Sequence, residues 1–178
     1  MNCYFTKISE EVIQEILSFT NSSFKQGKIA ENSGLINRNS KVVWVNNVDI
    51  SRKIFNITEK VNKKANWNLS INNIEPLQYS EYTENDEYGW HTDKLTGPYS
   101  DGRIRKISFS IFLNNDYVGG EFDIEVFGPS RKKRYITIKK EDDGNIVFFQ
   151  SDMWHRVRPV KEGIKKSIVG WVLGPPLK

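Results

Sequence analysis

The chain is poor in the residues that most often carry chemistry. Its 178 residues include one cysteine, Cys3, and two histidines, His91 and His155. A lone cysteine forms no internal disulfide, so the fold must rest on its core. A chain this long can bury about 70% of its unfolded surface, which is enough. Two histidines exclude any centre that takes three imidazoles from one chain. No apolar run approaches the ~18 residues of a transmembrane helix. The opening MNCYFTKISEE lacks the basic-then-apolar layout of a signal peptide. These absences predict a soluble, cytoplasmic protein in a reducing compartment, with no membrane partner. No repeat, low-complexity tract or Pro/Gly/Ser linker divides the chain, so one domain is expected over 1–178.

What is present is an ordinary globular mixture, 38% hydrophobic and 27% charged, which rules out a disordered or collagen-like chain. The net charge is +4. The lysines are spread along the chain, so the basic balance does not by itself imply a polyanionic partner. One dense cluster, Arg131-Lys132-Lys133-Arg134, falls between two strand-like runs, as either a solvated turn or a polyanion contact.

The first third reads as helical. Ser9 offers a capping hydroxyl, and Glu10 and Glu11 suit a helix N-terminus. Val12, Ile13, Ile16 and Leu17 follow at helical spacing. A second helix is expected from Ser51 to about Ala65, on Ile54, Ile57, Val61 and Ala65, with a strand at 41–45 between the two. From Leu69 the pattern becomes short β-rich runs: 69–74, 75–82, 88–93, 103–114, 121–126, 134–138, 145–149, 155–160 and 166–173. Turn residues separate them. The expected class is α+β, mainly β: a sandwich, barrel or jelly roll with N-terminal helices on the outer face of one sheet. Residues 1–68 would form a helical support region and 69–178 the β core.

The sharpest local feature is His91-Thr92-Asp93. On a strand, residues two apart share a face, so an imidazole and a carboxylate could hold one ion. His155, 62 residues beyond Asp93, begins another strand-like run. Two imidazoles and a carboxylate make the facial triad of non-haem Fe(II) oxygenases. His-x-Asp also arises by chance, so a set of bystanders is the competing reading. Lys165, ten residues after His155, lies on an otherwise apolar strand. A cation entering a pocket needs an anion to offset its desolvation, and a dicarboxylic cosubstrate bridging metal and lysine would supply one. Alternation sends only one of Lys165 and Lys166 inward, so the other is an ordinary solvated residue.

Several stretches in order carry a family resemblance. They are Tyr88 to Asp93, Arg105 to Asn114, Gly119-Gly120-Glu121-Phe122, Gly144 to Phe149, Trp154-His155-Arg156-Val157, Pro159-Val160, Gly163, and Lys165 to Trp171. Together they resemble the 2-oxoglutarate/Fe(II)-dependent dioxygenases, in their prolyl 4-hydroxylase-like branch. The resemblance spans roughly Glu75 to Pro176. It implies a double-stranded β-helix, a cupin-like jelly roll. It implies His91, Asp93 and His155 as iron ligands, with no catalytic residue beyond them. It implies Lys165 for the far carboxylate of 2-oxoglutarate and Tyr82 as a further cosubstrate contact. Fe(II) would be the metal and 2-oxoglutarate and O2 the cosubstrates, with ascorbate a candidate reductant. Asp93 argues against the halogenating relatives, which lack that carboxylate.

The implied activity is hydroxylation of an unactivated C–H bond with release of succinate and CO2. A prolyl residue in a protein or peptide is the favoured substrate. The alternatives are a free amino acid or other small molecule, a nucleic-acid demethylating reaction, and a non-catalytic jelly-roll binding module. Lysines at both 165 and 166 speak against the nucleic-acid enzymes, which usually carry an arginine pair there. The segment Lys94-Leu95-Thr96-Gly97-Pro98-Tyr99, running on to Gly102, is either a substrate lid or a plain connection. Trp90 and Trp154 each precede a histidine and are expected to pack away from it. The sequence assigns no oligomeric state.

Overall fold

The computed structural model describes residues 3–20, 25–26, 38–127, 133–138 and 145–176. Two sheets face each other. The larger runs β1 (Cys3–Thr6), β11 (Ile146–Gln150), β7 (Ile104–Phe112), β14 (Lys165–Gly174), β5 (Leu77–Tyr82), β3 (Lys41–Val45) and β2 (Lys25–Gln26), with β4 (Asn73–Ile74) beside β14. The smaller runs β10 (Lys133–Ile138), β9 (Phe122–Phe127), β12 (His155–Val157) and β6 (Tyr88–His91). β8 (Val118–Gly119) and β13 (Val160–Glu162) form a separate pair. This is the expected jelly roll.

Alternation along β11 shows how the layers are built. Ile146 and Phe148 point to one face of the large sheet, and Val147 and Phe149 to the other. Both faces are covered, so the strand reads as an unbroken apolar run. The first pair joins a cluster with Ile13 and Ile16 of α1 (Glu10–Ser18) and Ile50, Ile54 and Val61 of α2 (Val48–Lys64). The second pair joins Tyr82, Phe122, Ile124 and Val157 between the two sheets. The helices therefore back the large sheet from outside, as expected. The site lies between the sheets.

Several boundaries differ from the sequence reading, each for a local reason. α2 starts three residues before Ser51, because the Asn47 side chain accepts from the amides of Asp49 and Ile50, both at 3.0 Å. Ser9 precedes α1 but makes no side-chain cap; its carbonyl accepts from the Val12 and Ile13 amides. The expected strand 69–74 shrinks to Asn73–Ile74. Asn66 and Asn68 turn the chain at φ 57° and 50°, and the Asn62 side chain bonds both the amide and the carbonyl of Leu69. The expected strand 155–160 splits into β12 and β13 around Pro159, which has no N–H for a ladder. The region 1–68 is not purely helical: β1, β2 and β3 all extend the large sheet. β1 was missed because its four residues carry no clear alternation. Arg131 and Lys132 lie outside the described residues, as do the side chains of Lys133 and Arg134.

Asp123 ties the outer side of the small sheet together. Its fully buried carboxylate accepts from Arg156 Nε at 2.7 Å, Arg158 Nε at 2.8 Å and Thr137 Oγ1 at 2.7 Å. Burial pushes its pKa up, but these three donors outweigh burial and hold it below the usual carboxylate value. A depressed folded pKa adds stability above the unfolded value of about 4 and loses it as pH falls through the folded value. Asp123→Asn should therefore lower unfolding free energy by roughly 1–3 kcal/mol at neutral pH, and the gap from wild type should narrow below about pH 4. Urea titrations across pH read this directly; a gap independent of pH would contradict it.

Candidate metal centre

β12 pairs antiparallel with β6, and the register sets His155 against His91. The two rings lie 4.0 Å apart between centroids. Each is oriented by its own backbone. His91 Nδ1 donates to the Gly89 carbonyl at 2.8 Å, and His155 Nδ1 to the Met153 carbonyl at 3.0 Å. With Nδ1 committed as donor, Nε2 carries the lone pair in both rings. Both Nε2 atoms face Asp93, at 3.9 Å from Oδ1 for His91 and 3.5 Å from Oδ2 for His155. One donor atom from each residue lies within 4.8 Å of the others.

The environment favours the ligating protonation states. Burial, and then the neighbouring His155, push the His91 pKa down to about 3, so its imidazole is neutral. Burial pushes the Asp93 carboxyl up, but His155, His91 and a hydrogen bond from Ser108 outweigh it and hold the group below its ordinary value. Two imidazoles and a carboxylate fit Fe(II) by donor type.

Asp93 does not reach this position by strand alternation, as the sequence reading assumed. β6 stops at His91. Beyond it, the Asp93 amide donates to the Ser151 carbonyl at 2.9 Å, which turns the carboxylate back toward the histidines.

A cleft of about 400 Å³ opens over the three residues. Lys165 and Tyr82, register partners on β14 and β5, line its depth. Lys165 is 2% exposed and its Nζ donates to the Tyr117 hydroxyl at 3.0 Å. Lys166 alternates outward beside Glu81 and is partly exposed. Gly120, at φ 62°, leaves room for this arrangement, since a Cβ there would sit 3.2 Å from Lys165 Cδ and 3.2 Å from the Tyr117 ring. Burial pushes the Tyr82 phenol up, so it remains a neutral hydroxyl.

At the mouth, Arg105 forms two 2.7 Å hydrogen bonds with Glu75 and stacks 3.9 Å over Trp171. Lys94, Leu95 and Thr96 border the cleft. Gly97, Pro98 and Tyr99 are not part of its lining; the Tyr99 hydroxyl donates to Glu75 at 2.8 Å and anchors that end of the loop to the sheet edge. Trp90 faces outward against Tyr135 and Arg156, as alternation requires. Trp154 does not follow the expectation. It precedes β12, so alternation does not govern it, and it stands 43% exposed at the cleft.

Sequence reasoning missed several groups here. Tyr88 stacks on His91 at 3.5 Å and 13°, with the Arg38 guanidinium over the same tyrosine ring at 4.6 Å. Tyr88 is three residues from His91, the wrong parity for a regular strand. A register shift against β12 puts both on one side, and Gly89 is the only hint in the sequence. Ser108, Ser151 and Tyr117 sit far from the motif in sequence and gave no signal.

The comparisons agree with this geometry. A PKHD-type hydroxylase of Prochlorococcus marinus (strain MIT 9515) is 33% identical over 147 residues, covering 82% of this chain and 60% of the relative. One from Synechococcus sp. (strain CC9902) is 31% identical over 104 residues, covering 57% of this chain and 43% of the relative. The chain thus spans about half the length of these curated relatives. Among solved structures, a Pseudomonas putida prolyl-4-hydroxylase superposes with TM-score 0.65 at 15% identity, over 99% of this chain and 94% of its own. The viral collagen prolyl hydroxylase of Paramecium Bursaria Chlorella virus-1, in its 2OG complex, gives 0.66 at 18%, over 98% and 97%. A Trichoplax adhaerens prolyl hydroxylase bound to a hypoxia inducible factor peptide fragment gives 0.63 at 19%, over 96% and 81%. At these identities the structures speak to the fold. The profile of the 2OG-Fe(II) oxygenase superfamily matches residues 77–173, which include all three metal-type donors and Lys165, and the chain belongs to that superfamily.

Proposed function

We propose that the protein hydroxylates an unactivated C–H bond of a prolyl residue in a protein or peptide. In this reading His91, Asp93 and His155 hold Fe(II), and 2-oxoglutarate is converted to succinate and CO2. One observation supports it above the others: a buried ammonium, Lys165, lines the same cleft as a buried two-imidazole, one-carboxylate cluster. A bidentate dicarboxylate is the ligand that satisfies both ends. Charge agrees, because Fe(II) with Asp93 leaves +1, Lys165 adds +1, and 2-oxoglutarate brings −2.

Fe(II), with 2-oxoglutarate and dioxygen, supplies the oxidising power; the chain supplies placement. The Nδ1 bonds to Gly89 and Met153 keep both Nε2 atoms aimed inward. Lys165 and the Tyr117 hydroxyl receive the far carboxylate, and Tyr82 packs beside it. Phe122 and Phe149 close the rear of the cleft around His155 and limit water there. The substrate chain crosses the open mouth past Trp154 and the Lys94–Thr96 edge. The likeness to a prolyl hydroxylase in complex with a peptide favours a peptide over a free amino acid.

The experiment is anaerobic loading with Fe(II) and 2-oxoglutarate, then air and a panel of proline-containing peptides, free amino acids and methylated oligonucleotides. Mass spectrometry should find one added oxygen on a prolyl peptide, with matching succinate. Oxygen gained only by another panel member would overturn the prolyl assignment. No 2-oxoglutarate turnover with any member, even uncoupled, would overturn the enzyme reading.

His91→Ala and Asp93→Ala should each reduce succinate formation to background, and wild-type turnover by either would refute the ligand set. Lys165→Ala should raise the KM for 2-oxoglutarate roughly 10- to 100-fold, the loss of a charge-assisted bond, with a smaller change in kcat at saturating cosubstrate. An unchanged KM would remove Lys165 from the cosubstrate site.

A further inference from the structure

The bond from His91 Nδ1 to the Gly89 carbonyl, at 2.8 Å, holds one edge of the imidazole and leaves the tilt of the ring about that bond open. A stack closes this freedom. The Tyr88 ring lies on the imidazole at 3.5 Å between centroids and 13° between planes. His155 is met differently: its neighbours His91, Phe122 and Phe149 lie at 56°, 43° and 59° to it. The Arg38 guanidinium sits 4.6 Å over the Tyr88 ring. With the imidazole against one face of that ring, the guanidinium takes the other. Arg38 is itself fastened. Its Nε donates to the Ser40 hydroxyl at 3.2 Å and an Nη to Gln78 Oε1 at 2.6 Å. Its backbone bridges Tyr88, and the next amide, of Asn39, donates to the Glu87 carbonyl at 2.9 Å. β3 follows at once and joins the large sheet. The segment 38–45 thus touches both sheets.

We infer that Tyr88, backed by Arg38, is a positioning residue that sets the plane of the His91 imidazole and so aims Nε2 at the metal. This rests on the ligand assignment made above. At 3.5 Å the two ring centres nearly overlie, an arrangement in which π faces repel. A cation on the far face of the phenol draws its ring electrons away and offsets that repulsion. The three layers then act as one wedge. A tilt of the imidazole toward Tyr88 would have to drive the phenol into a guanidinium held at two of its nitrogens. Without the ring at position 88, the Gly89 bond remains but the plane is free, so the donor set is less well organised before the ion arrives.

The test uses Co(II) alone, without 2-oxoglutarate, on the full chain. Affinity is read by calorimetry and ligand geometry by the visible Co(II) spectrum. Tyr88→Leu should bind roughly 10-fold more weakly, with an altered spectrum. Tyr88→Phe should keep wild-type affinity and spectrum, because the stack needs the ring and not the hydroxyl. Arg38→Gln should weaken binding in the same direction by less, roughly 2- to 5-fold, and it carries the test if Tyr88→Leu fails to fold. A Tyr88→Phe protein as weak as Tyr88→Leu would overturn the stacking role. Wild-type affinity and spectrum in Tyr88→Leu, or in Arg38→Gln where the leucine variant does not fold, would overturn the positioning role; lost binding in Asp93→Ala alongside would leave the ligand set intact. A wild-type protein that binds no Co(II) would overturn both.

Discussion

The site depends on one strand pairing. β12 runs antiparallel to β6 in the register that sets His155 opposite His91, the only two histidines in the chain. Each ring then bonds a carbonyl two residues back, and both Nε2 atoms converge on one point. A one-residue slip in this register would turn one imidazole to the outside of the sheet. The rest of the small sheet secures the pairing. β9 pairs with β12 on its other side, and Asp123 clamps Arg156 and Arg158 across the outer face. The large sheet contributes the opposite wall, with Lys165 and Tyr82 side by side on neighbouring strands.

The two ends of the cleft differ in how they handle charge. At the histidine end, burial pushes the His91 pKa down to about 3, and Asp93 is held below its ordinary value although burial pushes it up. At the far end, Lys165 is buried beneath Phe112 and Tyr117, with its ammonium 4.8 and 5.0 Å from their ring centres. Burying a cation there has a cost that an anionic ligand would offset. The fold therefore presents a donor cluster and a cation within one cavity.

Much of this was legible in the sequence, because the signals were local and periodic. The β11 apolar run, the helical spacing around Ile54 and Val61, and the His-x-Asp pair each follow from neighbouring residues. What was not legible depends on contacts between distant segments. Asp93 looked like a strand residue, but its orientation comes from Ser151, 58 positions away. Tyr88 has the wrong parity to meet His91 until a register shift against β12 brings it there. Trp154 looked like a packing residue because alternation was extended one residue past the end of a strand. Asn47 was overlooked as a helix cap because the helical apolar pattern was read from Ile54, about two turns later.

The most direct test of the central claim is X-ray absorption at the iron edge of the Fe(II)-loaded protein, prepared without oxygen. The account predicts two imidazole ligands per iron with the remaining donors oxygen, and one imidazole after His155→Ala. A spectrum with no imidazole, or one unchanged by that substitution, would contradict it.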